Sequence, residues 1–258
     1  MQILMRPWGH MNFVETGPKN APALLFVNSL GTDLRMWEQV CARLPYRCIR
    51  FDKRGHGLSA TPAKDWTVEN LADDGVALLD HLNIDKAVIA GCSVGGMVAQ
   101  AIGIHHPSRV RALVLSNTAA KIGTADSWQA RIDAVQSHGI ASIADVILDR
   151  WFPKSFCAST AALPWQTMLL RVDPVGYMQT CRALAQADLR AGLATMTLPV
   201  LLITGSEDQS TPPALVAETA ALITNAQLIE LKGSGHIPAI DAPEATARAI
   251  ADFLEGLT

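Results

Sequence analysis

The sequence predicts an α/β fold: a mostly parallel central sheet with helices on both faces and a helical cap inserted between two strands. Three observations carry this expectation. Short strand-like runs alternate with helical patterns. The runs are apolar along most of their length rather than alternating, as strands covered on both faces should be. Between residues 119 and 196 strand runs vanish, and helical stretches interrupted by Pro153, Pro164 and Pro174 take over. Residues 1–118 and 197–258 are therefore expected to form the core and residues 119–196 the cap.

Taken in order, residues 23–28 and 47–51 read as the first buried strands. Residues 87–90 form another apolar run, followed after a turn by residues 97–102, apolar nearly all round as a central buried helix should be. Residues 110–115, 200–203 and 226–231 complete the strand set. The last helix is amphipathic, with Ala242, Ala245, Ala249, Phe253 and Leu254 on one stripe and Glu244, Arg248 and Glu255 off it. A cap placed after the 110–115 strand would cover the carboxyl edge of the sheet, where ligands bind in open α/β folds. Its tryptophans, Trp128, Trp151 and Trp165, are expected mainly to pack cap helices.

The bulk composition narrows the function. With 258 residues, 49% hydrophobic and 17% charged, the chain can bury a substantial core and is not generally disordered. A formal net charge of -3 gives no broad attraction to nucleic acid or to acidic membranes. No apolar run reaches spanning length, and the start from Met1 to Trp8 lacks the pattern of a signal peptide. Cys41, Cys48, Cys92, Cys157 and Cys181 are odd in number and without paired spacing, which fits free thiols in a reducing cytoplasm. His105 and His106 are adjacent near a helix end without a partner carboxylate at ligand spacing, so neither a metal nor another cofactor is expected.

The chemistry starts at Gly91-Cys92-Ser93-Val94-Gly95, a G-x-S-x-G pattern between an apolar strand and an apolar helix. In that setting the serine sits on a sharp turn with its hydroxyl lifted clear of the sheet. A serine needs a base to take its proton and a third group to orient that base. Asp208 follows the 200–203 strand and His236 follows the last strand, so both fall in loops at the edge that carries Ser93. The order Ser93, Asp208, His236 is that of an α/β-hydrolase triad. Glu207 competes with Asp208 for its role. Oxyanion donors are expected from the backbone N–H of Val94 and of Leu30, in the loop after the first buried strand. In Asp52-Lys53-Arg54-Gly55-His56-Gly57, the charges are read as braces for neighbouring loops and His56 as structural. Cys92 is assigned a packing role.

Residues 28–37, from Asn28 and Ser29 to Met36 and Trp37, resemble the oxyanion-loop segment of the 3-oxoadipate enol-lactonases. So do residues 116–123 at the cap entrance, and Arg150-Trp151-Phe152, Gly176-Tyr177-Met178 and Ala187-Asp188-Leu189-Arg190 within the cap. The resemblance covers nearly the whole chain. It departs from the pattern around residues 1–12, and Asn28-Ser29 stands where many relatives carry His-Gly. The resemblance implies an α/β-hydrolase fold and hydrolysis of a small enol-lactone bearing a free carboxylate, an intermediate of the β-ketoadipate route of aromatic catabolism. It implies the lactonase alone, without the decarboxylase extension some relatives have. The substrate carboxylate calls for a cap cation among Lys121, Arg131 and Arg150; Arg131 is favoured, with Trp128 as an aromatic wall one turn earlier. The competing expectations are a broader esterase or perhydrolase, a carbon–carbon bond hydrolase of ring-cleavage products, and a non-catalytic small-molecule receptor.

Overall fold

The computed structural model describes residues 2–257; Met1 and Thr258, counted with the core in the sequence reading, lie outside them. Strands β1 (Gln2–Arg6) and β2 (Gly9–Thr16) open the chain as an antiparallel hairpin. Strands β3 (Ala23–Val27) and β4 (Arg47–Phe51) follow, then helix α1 (Val68–His81) and strand β5 (Ala87–Cys92). Helix α2 (Val94–His105) leaves β5 directly and leads to β6 (Val110–Ser116). Between β6 and the next strand lie four longer helices, α3 (Ala125–His138), α4 (Ala144–Trp151), α5 (Leu163–Leu170) and α6 (Pro174–Gln186). Strand β7 (Val200–Gly205), helix α7 (Pro213–Ala220), strand β8 (Ala226–Leu231) and helix α8 (Pro243–Glu255) close the fold.

The described strands form one sheet in the order β1-β2-β4-β3-β5-β6-β7-β8. Only the pairings of β2 are antiparallel; β4 to β8 run parallel. The parallel set matches the expected strands. Strands β3, β5 and β7 are buried along their whole length, so both faces of the sheet centre are covered. At the edge, β8 keeps Gln227, Leu228 and Glu230 exposed, and its apolar character is correspondingly interrupted. Helix α2 is buried from Val94 to Gly103, as its unbroken apolar sequence predicts.

Three features differ from the sequence reading. The β1–β2 hairpin is not among the strands expected from the sequence; the apolar run of β1 is only three residues, Ile3-Leu4-Met5, and Ile3 and Met5 are exposed. It is tied down by a polar hub instead: buried Asp74 on α1 accepts hydrogen bonds from Trp8 Nε1 at 2.8 Å, Arg6 Nε at 3.2 Å and Arg54 Nε at 2.6 Å. Helix α1 starts at a capping box, Thr67 with Asn70, which offers Asn in place of the usual acid. The buried stripe of α8 runs through Thr246, Ala247, Ala249, Ile250, Phe253 and Leu254, while Ala245 is exposed and Ala242 only half-buried. Ile250, not Ala242 or Ala245, carries the apolar weight of the stripe.

The register decides where the loops go. Val27 pairs with Phe51 and Gly91, Cys92 with Ser116, Ser116 with Ile203, and Gly205 with Leu231. All six parallel strands therefore end at one edge, and the six loops that leave them converge there.

Candidate active site

Each of those six loops contributes to one site. Ser93 sits at the turn from β5 into α2 with φ 58 and ψ -121, a conformation a non-glycine residue adopts only when its surroundings hold it there. Two glycines make that turn possible. A Cβ on Gly91 would lie 2.0 Å from Gly95 O, and one on Gly95 would lie 2.3 Å from Val27 O. The turn is held from its neighbours: Ser93 N–H donates to Ser116 O at 3.0 Å, and Thr118 Oγ1 donates to Ser93 O at 2.6 Å.

Asp208, in the loop after β7, and His236, in the loop after β8, meet with Nδ1 of the histidine 2.9 and 3.0 Å from the two carboxylate oxygens. Both side chains are buried. The carboxylate also accepts from Ser210 N–H at 2.7 Å, Thr211 N–H at 3.0 Å, Thr211 Oγ1 at 2.7 Å and Asn117 Nδ2 at 2.9 Å. Burial alone would raise the Asp208 pKa, but His236, Asn117 and Thr211 outweigh it and hold the carboxyl below its usual value. Asp208 thus stays ionised, and its geometry requires the proton of His236 on Nδ1, leaving Nε2 as a base. Glu207 is exposed and takes no part in this cluster. His236 N–H donates to Trp151 O at 2.7 Å, which fastens its loop to α4.

The N–H of Val94 is the first of α2 and has no acceptor one turn back within the helix. Leu30 N–H has no acceptor among the described residues, whereas its neighbour Gly31 N–H donates to His56 Nε2 at 3.2 Å. His56 is buried, with Nδ1 3.0 Å from Arg54 O; burial and Lys53 push its pKa well below the usual value. It is a neutral strut for the loop after β3, as the sequence reading expected of a bracing loop. Cys92 is buried with its Sγ 3.4 Å from His236 O, and burial pushes its thiol pKa up.

Ser93, His236, Leu30, Trp128, Arg131 and Arg150 line one cavity of about 140 Å³. The first three come from the sheet edge and the last three from α3 and α4. Arg131 is half-buried and stacks over the Trp128 ring at 5.2 Å, and Trp128 Nε1 donates to Ile122 O at 2.6 Å. Arg150 reaches the cavity with one donor on Gln209 O at 3.2 Å; burial and the charge of Arg131 lower its pKa. Neither arginine is in an ion pair among the described residues. Lys121, the third cation considered, pairs with Asp188 at 3.5 Å and does not line the cavity. Buried Tyr177 on α6 completes the wall beside Arg131. Among the described residues no group of three or more His, Cys, Asp or Glu side chains is placed to hold a metal ion.

Asn117, Thr211, Tyr177 and Lys53 were not singled out as functional from the sequence. Asn117 had a visible signal, since it closes a strand immediately after Ser116, but its left-handed backbone at φ 48 shows only in three dimensions.

Residues 24–249 match the model of the Alpha/beta hydrolase family. The chain belongs to that family. Among its relatives, 3-oxoadipate enol-lactonase 2 of Acinetobacter baylyi is 38% identical over 246 residues, covering 93% of this chain and 91% of the relative. The crystal structure of the enol-lactonase from Burkholderia xenovorans LB400 superposes with a TM-score of 0.95 at 33% identity, over 98% of this chain and all of that one. A thermophilic esterase from Thermogutta terrifontis, solved with malate bound, superposes with a TM-score of 0.91 at 26% identity, over 96% of this chain and 94% of that one.

Proposed function

We propose that this α/β hydrolase opens the enol-lactone ring of 3-oxoadipate through an acyl-enzyme on Ser93. The relatives support the substrate, and one feature of the cavity carries the reading: two guanidinium groups, Arg131 and Arg150, face the Ser93 cavity without a carboxylate partner. Like charges brought together in a half-buried space are unfavourable unless an anion joins them. A carboxylated substrate supplies that anion, and a planar guanidinium meets a carboxylate with two parallel hydrogen bonds. Arg131, backed by Trp128, takes this role.

The chemistry follows from the cluster. His236 takes the Ser93 proton as the hydroxyl attacks the lactone carbonyl, and Asp208 stabilises the resulting imidazolium. The developing oxyanion falls to the N–H groups of Leu30 and Val94. Collapse expels the enol oxygen, a better leaving group than an ordinary alkoxide; it takes the proton held by His236, and the enol tautomerises to the ketone. Water, activated by His236, then attacks the acyl-enzyme and releases 3-oxoadipate. Residues 119–196 act as the cap that brings Trp128, Arg131 and Arg150 over the sheet edge.

The test is turnover on a panel: enol-lactone loss followed by ultraviolet absorbance, against neutral aryl esters and dienol diketones. The expected outcome is kcat/KM at least about a hundredfold higher for the lactone. Equal or higher turnover of the aryl esters would make the chain a general esterase, and preference for the diketones a carbon–carbon bond hydrolase.

A further inference from the structure

Lys53 is fully buried, and its only hydrogen-bond partner among the described residues is a backbone carbonyl: Nζ donates to Ser29 O at 2.6 Å. Burying a lysine without an ion-pair partner is costly, and burial does push its pKa well below the usual lysine value, against the pull of Asp52 and Asp33. A side chain kept in such a place, in a loop that otherwise needs only turns and struts, calls for a reason.

Ser29 O belongs to the peptide unit whose N–H is that of Leu30. The unit is trans, so its oxygen and its N–H point in opposite directions. Four donors gather on the oxygen: Lys53 Nζ, Thr32 Oγ1 at 2.9 Å, Thr32 N–H at 3.3 Å and, more distantly, Asn28 Nδ2 at 3.5 Å. None takes the N–H, and on that side Leu30 and Ser29 line the cavity that holds Ser93. The neighbouring peptide is pinned separately by His56 through Gly31 N–H. Anchoring the oxygen fixes the plane of the peptide. Drawing electron density toward the oxygen also makes the N–H a stronger donor, as in any polarised hydrogen-bond chain.

We propose that Lys53 is a positioning residue for the oxyanion hole: together with Thr32 it orients and polarises the Ser29–Leu30 peptide so that Leu30 N–H meets the oxyanion formed on attack by Ser93. This rests on the reading of Ser93 as the nucleophile. The preorganised dipole costs no reorganisation at the moment of reaction, which is where such stabilisation gains its size.

The test compares an aryl ester with its thionoester, whose sulfur is a poorer hydrogen-bond acceptor, in the parent, Lys53→Met, Thr32→Val and Ser93→Ala. Concentrations are normalised by active-site titration with a fluorescent phosphonate where Ser93 is present, and folding is followed by Tm. Lys53→Met keeps the stem and removes the donor. It should lower kcat on the oxygen ester by about tenfold to a hundredfold, less than loss of a direct oxyanion donor, with KM nearly unchanged. The thionoester should suffer less, so the oxygen-to-sulfur rate ratio falls. Thr32→Val should lower the same ratio by a smaller factor, and decides the matter alone if Lys53→Met does not fold. A ratio equal to the parent's in every folded variant overturns the proposal and leaves Lys53 a packing residue. Activity surviving in Ser93→Ala would instead overturn the serine reading on which the proposal stands.

Discussion

The two walls of the cavity are held by different means. On the sheet side, Ser93, Asp208, His236 and Leu30 sit in short loops that leave the ends of parallel strands, and each is less than 10% exposed. Asp208 alone accepts hydrogen bonds from Asn117, Ser210, Thr211 and His236. On the helical side, Arg131 leans on the Trp128 ring and the Tyr177 hydroxyl and Arg150 on one carbonyl, and both remain partly open. Positions set by many buried hydrogen bonds tolerate little displacement; long side chains held by few contacts adjust to what they bind. The sheet wall is built for chemistry common to all acyl substrates and the helical wall for choosing among them.

The largest effects should come from the sheet wall and be blind to the substrate. Ser93→Ala should lower kcat by about 10⁴-fold or more on the enol-lactone and on an aryl ester alike, with Tm close to the parent. Asp208→Asn should cost about 10³- to 10⁴-fold, because an amide in place of the carboxylate no longer selects the Nδ1-protonated tautomer of His236. Steady-state kinetics on both substrates checks each. A Ser93 effect confined to one substrate would mean that the division between the walls is wrong.

On the helical wall the effect should be smaller and selective. Arg131→Ala removes a charge-assisted pair, a loss of about 1.5 to 3 kcal/mol, so kcat/KM for the carboxylated lactone should fall about tenfold to a hundredfold. Turnover of a neutral aryl ester should stay within about threefold of the parent. Arg150→Ala should act in the same sense by less, since Arg150 already spends one donor on Gln209 O. Equal losses on both substrates would move Arg131 from recognition to support of the fold.

The same division explains what could be read from sequence. The sheet wall was legible because its residues are tied to patterns of short range: Ser93 lies one residue after β5, and Asp208 and His236 follow β7 and β8 within a few residues. A parallel sheet then brings them to one edge whatever the details. Lys53 and Asn117 lie in the loops after β4 and β6 at the same edge, but their partners, Ser29 O and Asp208, are distant in sequence and one of them is backbone. No pattern announces a lysine that binds a carbonyl. The β1–β2 hairpin escaped for a related reason, since Asp74 anchors it from 66 and 68 positions away. On the helical wall, Arg131 is favoured because the implied substrate carries a carboxylate, and helical spacing sets Trp128 one turn before it. Arg150 is weighed beside Arg131 in the sequence, and only the fold shows the two lining one cavity.

The smallest effect concerns the anchoring of the sheet wall itself. Asp241, partly buried after the turn that carries His236, accepts Gly235 N–H at 2.7 Å and the Ser234 hydroxyl. Burial pushes its pKa up to about 6, against those two hydrogen bonds and with Asp208 and Glu207 adding repulsion. The unfolded value is about 3.9. Between about pH 4 and pH 6 the folded protein therefore binds more protons than the unfolded chain, and the contribution of this group to stability falls as pH rises. It is complete below about pH 4 and lost above about pH 6. Asp241→Asn keeps an acceptor and removes the titration, so the variant's Tm minus the parent's should become more positive by a few degrees from pH 4 to pH 7. Taking the difference cancels the other titrating groups. A difference that stays flat across that range would mean that Asp241 is ionised at little cost, and that the His236 loop is held by its hydrogen bond to Trp151 O rather than by a strained carboxylate.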